Sequence, residues 1–422
     1  MEYRVDEIVE INKNSLKKAN LPRYIKYLET ANITKGKIDN IVNLDTKSDD
    51  IPSRARRLVQ TDDIIISTVR PNQEHYGYIE DSRSDLTVST GFVVLTPRKD
   101  LINPYYLYLT LTTDQMTRKL QSIAEDSTSA YPSIKPSVIG NQILKLPSMK
   151  TQNSIATFFS NIDNKIEVNN KLIANLTELS QTFFKRWFVD FEFPDEKGNP
   201  YKSNGGLIKE SSIGKLPKYW KVISLSELSL SIHAGGTPSR KKEDYWDNGN
   251  IPWLKTKEIK NNIIVSAEEF ISDIGLKNSS AKWIKGDSVV MAMYGATAGS
   301  IGYLASPMTS NQACCAFETD FPIFTYLYLY NNQDYIKSLA SGSAQQNLNK
   351  KTLEDLQLGI PDLESLWNFE VLVNPIFNQA IQLVKENNDL TNLRDTLLPK
   401  LMSGEIELPD ELEVDEHAEL LQ

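Results

Sequence analysis

The sequence of 422 residues contains too little cysteine and histidine for several classes of protein. Its two cysteines, Cys314 and Cys315, are adjacent, and such a pair forms neither a disulfide framework nor a zinc site by itself. The three histidines, His75, His233 and His417, have no partners at metal-ligand spacing. We therefore expect no metal site in this chain, and we expect both cysteines to lie on a buried strand.

Long apolar runs and nucleotide-binding loops are also missing. Because no stretch of about 18 apolar residues occurs, we expect no membrane span. No signal-peptide core follows Met1, so a cytoplasmic location is the expectation. There is no GxxxxGK[ST] loop and no glycine-rich strand-to-helix turn. Residues 103–106, Asn-Pro-Tyr-Tyr, faintly resemble the Asn-Pro-Pro-Tyr loop of amino-methyltransferases, but a cofactor loop is missing. We therefore predict no catalytic residue in this chain.

Negative charge is concentrated at the C-terminal end of the sequence. The formal net charge is −9, and eight acids but no Lys or Arg follow Lys400. Without those eight charges the net charge becomes −1. Any DNA binding by this nearly neutral body would depend on local basic patches rather than on overall charge.

The sequence repeats itself once, at an offset of about 220 residues. The matched segments follow the same order in both copies: Ile25–Thr30 with Ile251–Thr256, Asp63–Ser67 with Asp287–Met291, Gly77–Ile79 with Gly302–Leu304, Ser89–Val94 with Ser310–Cys315, Tyr106–Tyr108 with Tyr326–Tyr328, and Ala130–Pro147 with Ala344–Pro361. We predict two copies of one domain, residues 1–147 and 207–361.

Each copy combines strand and helix patterns. Short runs rich in β-branched residues, bounded by turn residues, predict the strands Ile64–Val69, Gly91–Leu95, Ser288–Met293 and Ala313–Phe317. Pro104–Leu111 and Ile323–Tyr330 have the pattern of helix starts. The prediction is a mixed α/β domain, whose topology the pattern does not define.

A long helix is predicted after each copy, within residues 148–194 and 362–404. Apolar residues recur every three or four positions, as in helices that pack lengthwise. The first seam comprises Ile155, Phe159, Ile162, Ile166, Asn169, Ile173, Leu176, Ser180, Phe183 and Trp187; the second comprises Leu366, Phe369, Val373, Ile376, Ala380, Leu383, Asn387, Leu390, Leu397 and Leu401. The helices would be roughly 54 and 60 Å long. Ser148 and Asp362 are candidate caps, and Pro375 and Pro399 predict kinks or a break.

An asparagine interrupts each seam, at Asn169 and Asn387. If the helices run antiparallel with residue 155 opposite residue 401, the two asparagines face each other. A buried polar pair of this kind lowers stability but fixes the register. The alternative is that both asparagines face solvent. The predicted fold class is α+β: two similar mixed α/β domains separated by two long antiparallel coiled-coil helices, related by pseudo-twofold symmetry. Residues 195–206 form the linker and residues 405–422 an acidic tail.

Basic and amide side chains in loops are the candidate DNA-binding residues. Basic groups suit contacts with phosphate, whereas planar and amide groups suit base edges. The candidates for phosphate are Lys26, Arg54, Arg56, Arg57, Arg240, Lys241, Lys255 and Lys257; those for bases are Arg70, Asn72, Gln73, the matching Tyr294, Asn311, Gln312, Gln345, Gln346, Asn347 and Asn349. Each of them could instead be an ordinary solvated loop residue. Their occurrence in equivalent loops of both copies favours DNA binding.

Over nearly its whole length the chain resembles the specificity subunit of type I restriction–modification enzymes. The segments that carry the resemblance are Trp187–Pro194, Gly214–Trp220, Gly235–Pro238, Ile251–Leu254 and Leu393–Glu405. The first copy departs from the pattern because it lacks the Gly-Gly-Thr-Pro run and has Pro132-Ser133 in place of the Gln346-Asn347 of the second copy. Its DNA target is therefore expected to differ.

The resemblance implies two target-recognition domains, each reading one half of a bipartite, asymmetric DNA site. It also implies that the helices dock two methyltransferase subunits, which carry S-adenosylmethionine and methylate adenine. Motor-nuclease subunits would add ATP- and Mg-dependent translocation and cleavage, so that this chain itself needs no cofactor. Exposed apolar residues of the helices would be docking candidates: Phe158, Phe184, Phe188 and Phe377. The alternative for these four is packing against the adjoining domains.

Two other functions remain open at this point. One is a self-contained DNA methyltransferase or nuclease, which a methyl-donor binding assay on the isolated chain would support. The other is a coiled-coil scaffold that binds only proteins. Salt-dependent DNA binding in the presence of a methyltransferase partner distinguishes the predicted function from both, because contacts with phosphate weaken steeply with salt.

Overall fold

A computed structural model describes residues 1–17, 21–126, 132–340 and 347–409. The chain divides into two compact units. Unit 1 comprises residues 1–165 together with the chain from residue 391 onward, and unit 2 comprises residues 166–390. Each unit holds one copy of the repeat and a segment of each long helix. We call the copies domain 1 (residues 1–147) and domain 2 (residues 207–361).

In the described part of domain 1, short strands alternate with short helices. The strands are β1 (Glu2–Arg4), β2 (Val9–Ile11), β3 (Tyr24–Leu28), β4 (Ile33–Thr34), β5 (Lys37–Ile38), β6 (Val42–Asp45), β7 (Ala55–Leu58), β8 (Ile64–Ser67), β9 (Tyr76–Tyr78), β10 (Leu86–Ser89), β11 (Phe92–Pro97) and β12 (Ile143–Lys145); the helices are α1 (Val5–Ile8), α2 (Pro104–Leu111), α3 (Asp114–Glu125) and α4 (Pro136–Gly140). Two four-stranded sheets, β6-β3-β10-β7 and β2-β11-β8-β9, carry the fold, and β1 pairs with β12.

Domain 2 and the helices complete the chain. The strands are β13 (Ile208–Ser211), β14 (Gly214–Pro217), β15 (Lys221–Ser224), β16 (Ser231–Ala234), β17 (Ile251–Leu254), β18 (Asn262–Ile264), β19 (Glu269–Ile271), β20 (Ser288–Ala292), β21 (Ile301–Leu304), β22 (Thr309–Ser310), β23 (Cys314–Glu318) and β24 (Gln357–Ile360). The helices are α5 (Met149–Phe184), α6 (Leu225–Leu228), α7 (Asp273–Lys277), α8 (Pro322–Asn331), α9 (Gln333–Ser338), α10 (Lys350–Glu354) and α11 (Leu363–Ser403). The sheets are β16-β23-β20-β21-β18, β19-β17-β22, β15-β24 and the hairpin β13-β14.

The predicted repeat is confirmed by the order of the strands. The sheet β2-β11-β8-β9 of domain 1 corresponds to β16-β23-β20-β21 of domain 2. In the second sheet, β10 runs parallel to β3 just as β22 runs parallel to β17. The four predicted strands and the two predicted helix starts are present in the expected places, with ends that differ by at most two residues.

The alignment of the two copies needs a correction of one residue near the strands β8 and β20. Asp62 and Asp287 are the equivalent residues, because both have positive φ values, 73° and 56°, and both accept a hydrogen bond from a tyrosine hydroxyl, of Tyr78 and Tyr303 respectively. Asp63, which the sequence aligned with Asp287, is instead buried and accepts from the Thr96 hydroxyl at 2.6 Å. A one-residue error arises easily because the two acids are adjacent.

Both long helices are present, with the predicted caps. The Ser148 hydroxyl accepts from the backbone N–H of Thr151 at 3.2 Å, and the Asp362 carboxylate accepts from that of Ser365 at 2.9 Å. A π-helical turn, Lys185–Val189, extends α5. The break expected at Pro375 or Pro399 does not occur, since α11 continues without interruption from Leu363 to Ser403.

The pattern of burial along the seams agrees with the predicted packing. Ile155, Phe159 and Ile162 are buried in unit 1, and Leu366, Phe369 and Val373 are buried in unit 2. The two cysteines lie on the buried strand β23, as predicted, and burial raises the pKa of each thiol to about 12. They are therefore unreactive core residues.

Three of the four aromatic residues proposed for docking belong to the core of unit 2, so that prediction is wrong for them. Phe184, Phe188 and Phe377 are 3%, 9% and 4% exposed. The Phe188 ring lies 4.8 Å from the rings of both Phe324 and Phe369. Heptad position alone did not distinguish these residues from surface residues, because they share one hydrophobic core with residues of domain 2.

The fourth of these aromatic residues, Phe158, is half-buried against Phe159. In unit 1 a polar contact joins the two helices to the domain. The carboxylate of Asp163 on α5 accepts from Arg394 Nη1 of α11 at 3.0 Å and from the hydroxyl of Tyr105 on α2. Tyr105 belongs to the segment that faintly resembled a methyltransferase loop, and here its hydroxyl has a structural role.

Candidate nucleic-acid interface

Loops that are distant in sequence meet at one end of the inner strands β20 and β23 of the five-stranded sheet of domain 2. We call this end of the sheet the recognition edge. The backbone N–H of Met293, after β20, donates to the carbonyl of Ala313, before β23, at 2.8 Å. The N–H of Leu348 donates in turn to the carbonyl of Met293 at 2.8 Å, and Tyr294 forms a β-bridge with Asn347. The structure thus brings the predicted residues Tyr294 and Asn347 together, and both are exposed.

The amides of Asn311, Gln312 and Asn349 have structural roles at this edge. The Asn311 side chain accepts from the backbone N–H of Ala313 at 3.1 Å, and Gln312 accepts from the hydroxyl of Thr237. Asn349 caps α10 by accepting from the N–H of Thr352 at 2.8 Å. A polar residue type in a loop could not reveal these partners in advance. Gln345 and Gln346 lie outside the described residues.

The Gly-Gly-Thr-Pro run is explained by close packing against the same edge. A Cβ atom on Gly235 would collide with Ser310, and one on Gly236 would collide with the backbone of Ser280. The indole Nε1 of Trp253 donates to the carbonyl of Gly236 at 2.9 Å. The glycines therefore allow two backbone segments to approach closely.

Most of the predicted phosphate-binding groups of domain 2 already have intramolecular partners. The Arg240 guanidinium lies 3.5 Å above the Trp246 ring and forms an ion pair with Glu269 at 2.5 Å. Lys255 also pairs with Glu269, at 2.6 Å, and this hydrogen bond raises the pKa of Lys255. Lys257 pairs with Glu268 at 2.6 Å. A phosphate would have to compete with these carboxylates.

Lys241 differs from these three basic residues. It is exposed, and the described part of the chain shows no ion pair for it. It is therefore the predicted phosphate-binding residue of domain 2 that is most accessible to a phosphate.

In domain 1 the predicted base-reading residues lie in a turn after β8. Arg70 has a left-handed conformation with φ of 48°, and a 3₁₀ turn, Pro71–Gln73, follows it. Arg70, Asn72 and Gln73 are exposed. Since the β-bridges Val69–Ser133 and Tyr294–Asn347 are equivalent, Val69 and not Arg70 matches Tyr294. The predicted match between Arg70 and Tyr294 is thus shifted by one residue, as for the aspartates.

The basic residues of domain 1 occupy different environments. Lys26 on β3 pairs with Asp85 at 2.6 Å, and Arg56 Nε donates to the carbonyl of Ser53 at 3.2 Å. Burial lowers the pKa of Arg57. Its Nη1 is buried without a hydrogen-bond partner among the residues that the structure describes. Arg54 is exposed in the turn before β7.

The predicted asparagine pair is confirmed in unit 2. Asn169 Nδ2 donates to Asn387 Oδ1 at 2.9 Å and to Glu386 Oε2 at 2.8 Å, and Asn387 Nδ2 donates to Asn170 Oδ1 at 3.0 Å. Asn169 is completely buried. The two helix segments therefore run antiparallel in the register that the asparagines predicted.

Replacing both Asn169 and Asn387 with leucine is expected to raise stability and loosen the register. A buried polar pair is often replaced by apolar residues with a gain of about 1–4 kcal/mol. Urea unfolding measures the first effect. Spin labels at the exposed positions 171 and 389 measure the second, as a broader distance distribution. The control is Asn175→Leu on the exposed side of α5. A less stable double variant with an unchanged distance distribution would contradict this role.

Among the residues that the structure describes, no group of three or more His, Cys, Asp or Glu side chains is arranged to hold a metal ion. No helix in that part of the chain is long and apolar enough to cross a membrane. No pattern in the sequence indicated the two Asp–Tyr pairs or the polar contacts between the long helices and the domains. Those contacts join residues that are far apart in the chain.

Comparison with known proteins agrees with the resemblance found in the sequence. The family model of the type I restriction modification DNA specificity domain matches residues 1–178 and 217–366. The chain therefore belongs to this family, as a specificity subunit with two recognition domains. The HindI specificity subunit of Haemophilus influenzae is 25% identical to it over 94% of this chain and 98% of that protein. The MjaIX specificity subunit of Methanocaldococcus jannaschii is 26% identical over 79% of this chain and 76% of that protein.

A solved structure has the same fold. The S subunit of a type I restriction–modification system from M. genitalium superposes with a TM-score of 0.56 and 17% sequence identity, and the match covers 97% of this chain and 96% of that chain. At this level of identity the likeness concerns the fold, which consists of two similar mixed domains and two long helices.

Proposed function

We propose that each recognition domain of this specificity subunit reads one half of a bipartite, asymmetric DNA site. The observation that carries the proposal is that one sheet edge is built identically in both domains but carries different side chains. Tyr294 and Asn347 of domain 2 occupy the positions of Val69 and Ser133 in domain 1. Since amide and aromatic groups make different base contacts from apolar and hydroxyl groups, the two half-sites are expected to differ.

The chain acts as a reader, and catalysis belongs to other subunits of the complex. Two methyltransferase subunits would bind S-adenosylmethionine and methylate adenine, while motor-nuclease subunits would use ATP and Mg for translocation and cleavage. The sequence supports this division, since it contains no motif for any of these cofactors. The assembly would act in the cytoplasm, where the DNA is.

The long helices offer an exposed apolar surface for the methyltransferase subunits. In unit 2 the exposed apolar residues of the two helices are Val168, Leu172, Leu179, Leu363, Trp367, Val371 and Leu372. Trp367 is 53% exposed and Val371 is 68% exposed, four positions apart on α11. Exposed aromatic and aliphatic groups of this kind are typical of protein interfaces. These residues replace Phe184, Phe188 and Phe377 as the docking candidates.

Methylome sequencing of cells that carry this gene and its methyltransferase partner tests the proposal. The expected result is methylated adenine in both halves of one asymmetric, bipartite motif. In the variant Tyr294→Ala/Asn347→Ala, the base preference in one half should relax or disappear, while the other half is retained. The matched control is Val69→Ala/Ser133→Ala, which should affect the opposite half. Methylation that does not depend on this chain would overturn the proposal.

A further inference from the structure

The helix that follows β11 in domain 1 starts differently from the helix that follows β23 in domain 2. In domain 1, α2 follows Asn103, whose side-chain Oδ1 accepts from the backbone N–H of Tyr106 at 3.0 Å. In domain 2 the equivalent helix α8 follows Phe321, whose side chain has no acceptor. The first N–H groups of an α-helix have no partner within the helix and need acceptors from elsewhere. Domain 1 thus caps its own helix, whereas α8 has no such cap from the residue that precedes it.

The acceptor for α8 comes from the long helix α11. Glu370 Oε1 accepts from the N–H of Phe324 at 2.7 Å, and Oε2 accepts from that of Ile323 at 3.4 Å. Glu370 is only 6% exposed. The comparable contact in unit 1 is made by the buried Gln152 of α5, whose Oε1 accepts from the N–H of Asn103, the residue before α2, at 3.0 Å. Gln152 lies four residues after the cap Ser148, whereas Glu370 lies eight residues after the cap Asp362, so the two contacts come from positions one helical turn apart. In each unit a side chain of a long helix thus contacts the start of the domain helix, with an amide in unit 1 and a carboxyl group in unit 2.

We propose that Glu370 is a positioning residue for DNA reading: by capping α8 from α11, it fixes domain 2 on the long helix and thereby fixes the recognition edge. Helix α8 packs against β20 and β21, and β20 leads directly to Tyr294. The contact thus runs from α11 through α8 and β20 to the edge that holds Tyr294 and Asn347. The inference deepens the proposed function and rests on it for the role of that edge.

The charged surroundings of Glu370 make this contact sensitive to pH. Burial raises the pKa of Glu370 to about 7, and repulsion from Asp287, at the start of β20, acts in the same direction; the two backbone N–H groups oppose it. The hydroxyl of Tyr303 on β21 donates to Asp287. Within the described residues no basic side chain forms an ion pair with Glu370. In the described part of the chain, the α8 N–H groups are therefore the groups that stabilise the carboxylate.

The raised pKa of Glu370 determines how the stability of the folded state changes with pH. The ordinary pKa of the group is 4.5, so the folded state binds the proton more tightly than the unfolded state does. The protonated Glu370 stabilises the folded state. This stabilisation is fully present below pH 4.5 and is lost as the pH rises through about 7. Gln152 does not titrate, so the contact in unit 1 has no such dependence.

Hydrogen exchange on the full chain tests the cap without DNA. In Glu370→Ala, the N–H groups of Ile323 and Phe324 should lose protection about tenfold or more, because a buried charge-assisted hydrogen bond is removed. Glu370→Gln should keep most of the protection. The change in unfolding free energy between pH 5 and pH 8 should be smaller in Glu370→Gln than in the wild type. The reciprocal variant Gln152→Glu should add such a dependence to unit 1.

A DNA-binding assay tests the positioning role. It uses the assembled complex and a duplex that carries the site found by methylome sequencing. Glu370→Ala should reduce discrimination against substitutions in the half read by domain 2 by about tenfold, and it should leave discrimination in the other half unchanged. Glu370→Gln at pH 8 should restore discrimination in the half read by domain 2. Gln152→Ala should reduce discrimination in the half read by domain 1.

Two results would overturn the inference. One is unchanged protection of Phe324 in Glu370→Ala, and the other is an equal loss of discrimination in both halves of the site. If wild-type complex does not bind DNA with sequence preference, the proposed function fails, and the hydrogen-exchange result still decides whether Glu370 caps α8.

Discussion

Raising the salt concentration from about 50 to about 200 mM is expected to weaken binding of the assembled complex to DNA by about 10³- to 10⁵-fold, if the complex makes six to ten phosphate contacts. The physical reason is the release of counterions, which favours binding at low salt. This chain has a net charge of −9, so it contributes to such a dependence only if its own basic groups are concentrated where the DNA lies. Affinity measured by fluorescence anisotropy over a salt series checks this prediction.

The structure distinguishes basic residues that are expected to contact DNA phosphates from basic residues that are not. Arg54 and Lys241 are exposed, and removing either should reduce the salt slope by about one contact. The control is Lys171→Ala, which changes an exposed lysine of α5 that pairs with Glu167 at 2.9 Å. This variant should retain the slope of the wild type. No change in binding after Arg54, Arg56 and Arg57 are all replaced by alanine would exclude that patch from the DNA interface.

Replacing Phe188 with alanine is expected to destabilise unit 2 by about 3–5 kcal/mol. The ring lies within 4.8–5.7 Å of four other aromatic rings, of Phe324, Phe369, Phe184 and Trp220. Removing the ring would remove these contacts and leave a cavity, because the long helix and domain 2 can relax only partially around it. The effect should therefore be far larger than that of truncating an exposed docking residue.

Tryptophan fluorescence during urea unfolding measures this effect specifically, because all six tryptophans of the sequence lie between residues 166 and 390. The control is Phe158→Ala, in the half-buried position on the same helix but in unit 1. It should leave the fluorescence transition nearly unchanged. A Phe188→Ala variant with wild-type stability and weakened methyltransferase binding would restore the docking role that the structure removes.

The sequence predicted the long helices well because their signals are local. The apolar period, the caps Ser148 and Asp362 and the interrupting asparagines each depend on a few neighbouring residues. The two asparagines could also be matched across the two helices, since aligning both apolar seams in an antiparallel pair places Asn169 opposite Asn387. Of the kinks or break expected at Pro375 and Pro399, the break does not occur, because packing along a long helix can outweigh the loss of one hydrogen bond. The kinks stay a prediction.

The recognition residues were harder to predict. Arg240, Lys255 and Lys257 have the composition of a phosphate-binding patch, yet each pairs with a carboxylate of the segment 268–269. Asn349 is a helix cap, and Asn311 supports its own loop. A residue type shows what a side chain is able to bind, whereas the fold decides what it meets first.

The sequence by itself determined that the chain consists of two related mixed domains and two long helices, that the helices pair through Asn169 and Asn387, and that the chain resembles the specificity subunits to whose family it belongs. Only the tertiary structure decided that Phe184, Phe188 and Phe377 are core residues, that Tyr294 meets Asn347, and that Glu370 caps α8. The physical reason is range. Periodicity and capping are properties of neighbouring residues, whereas these contacts join segments that only the folded sheets and helices bring together.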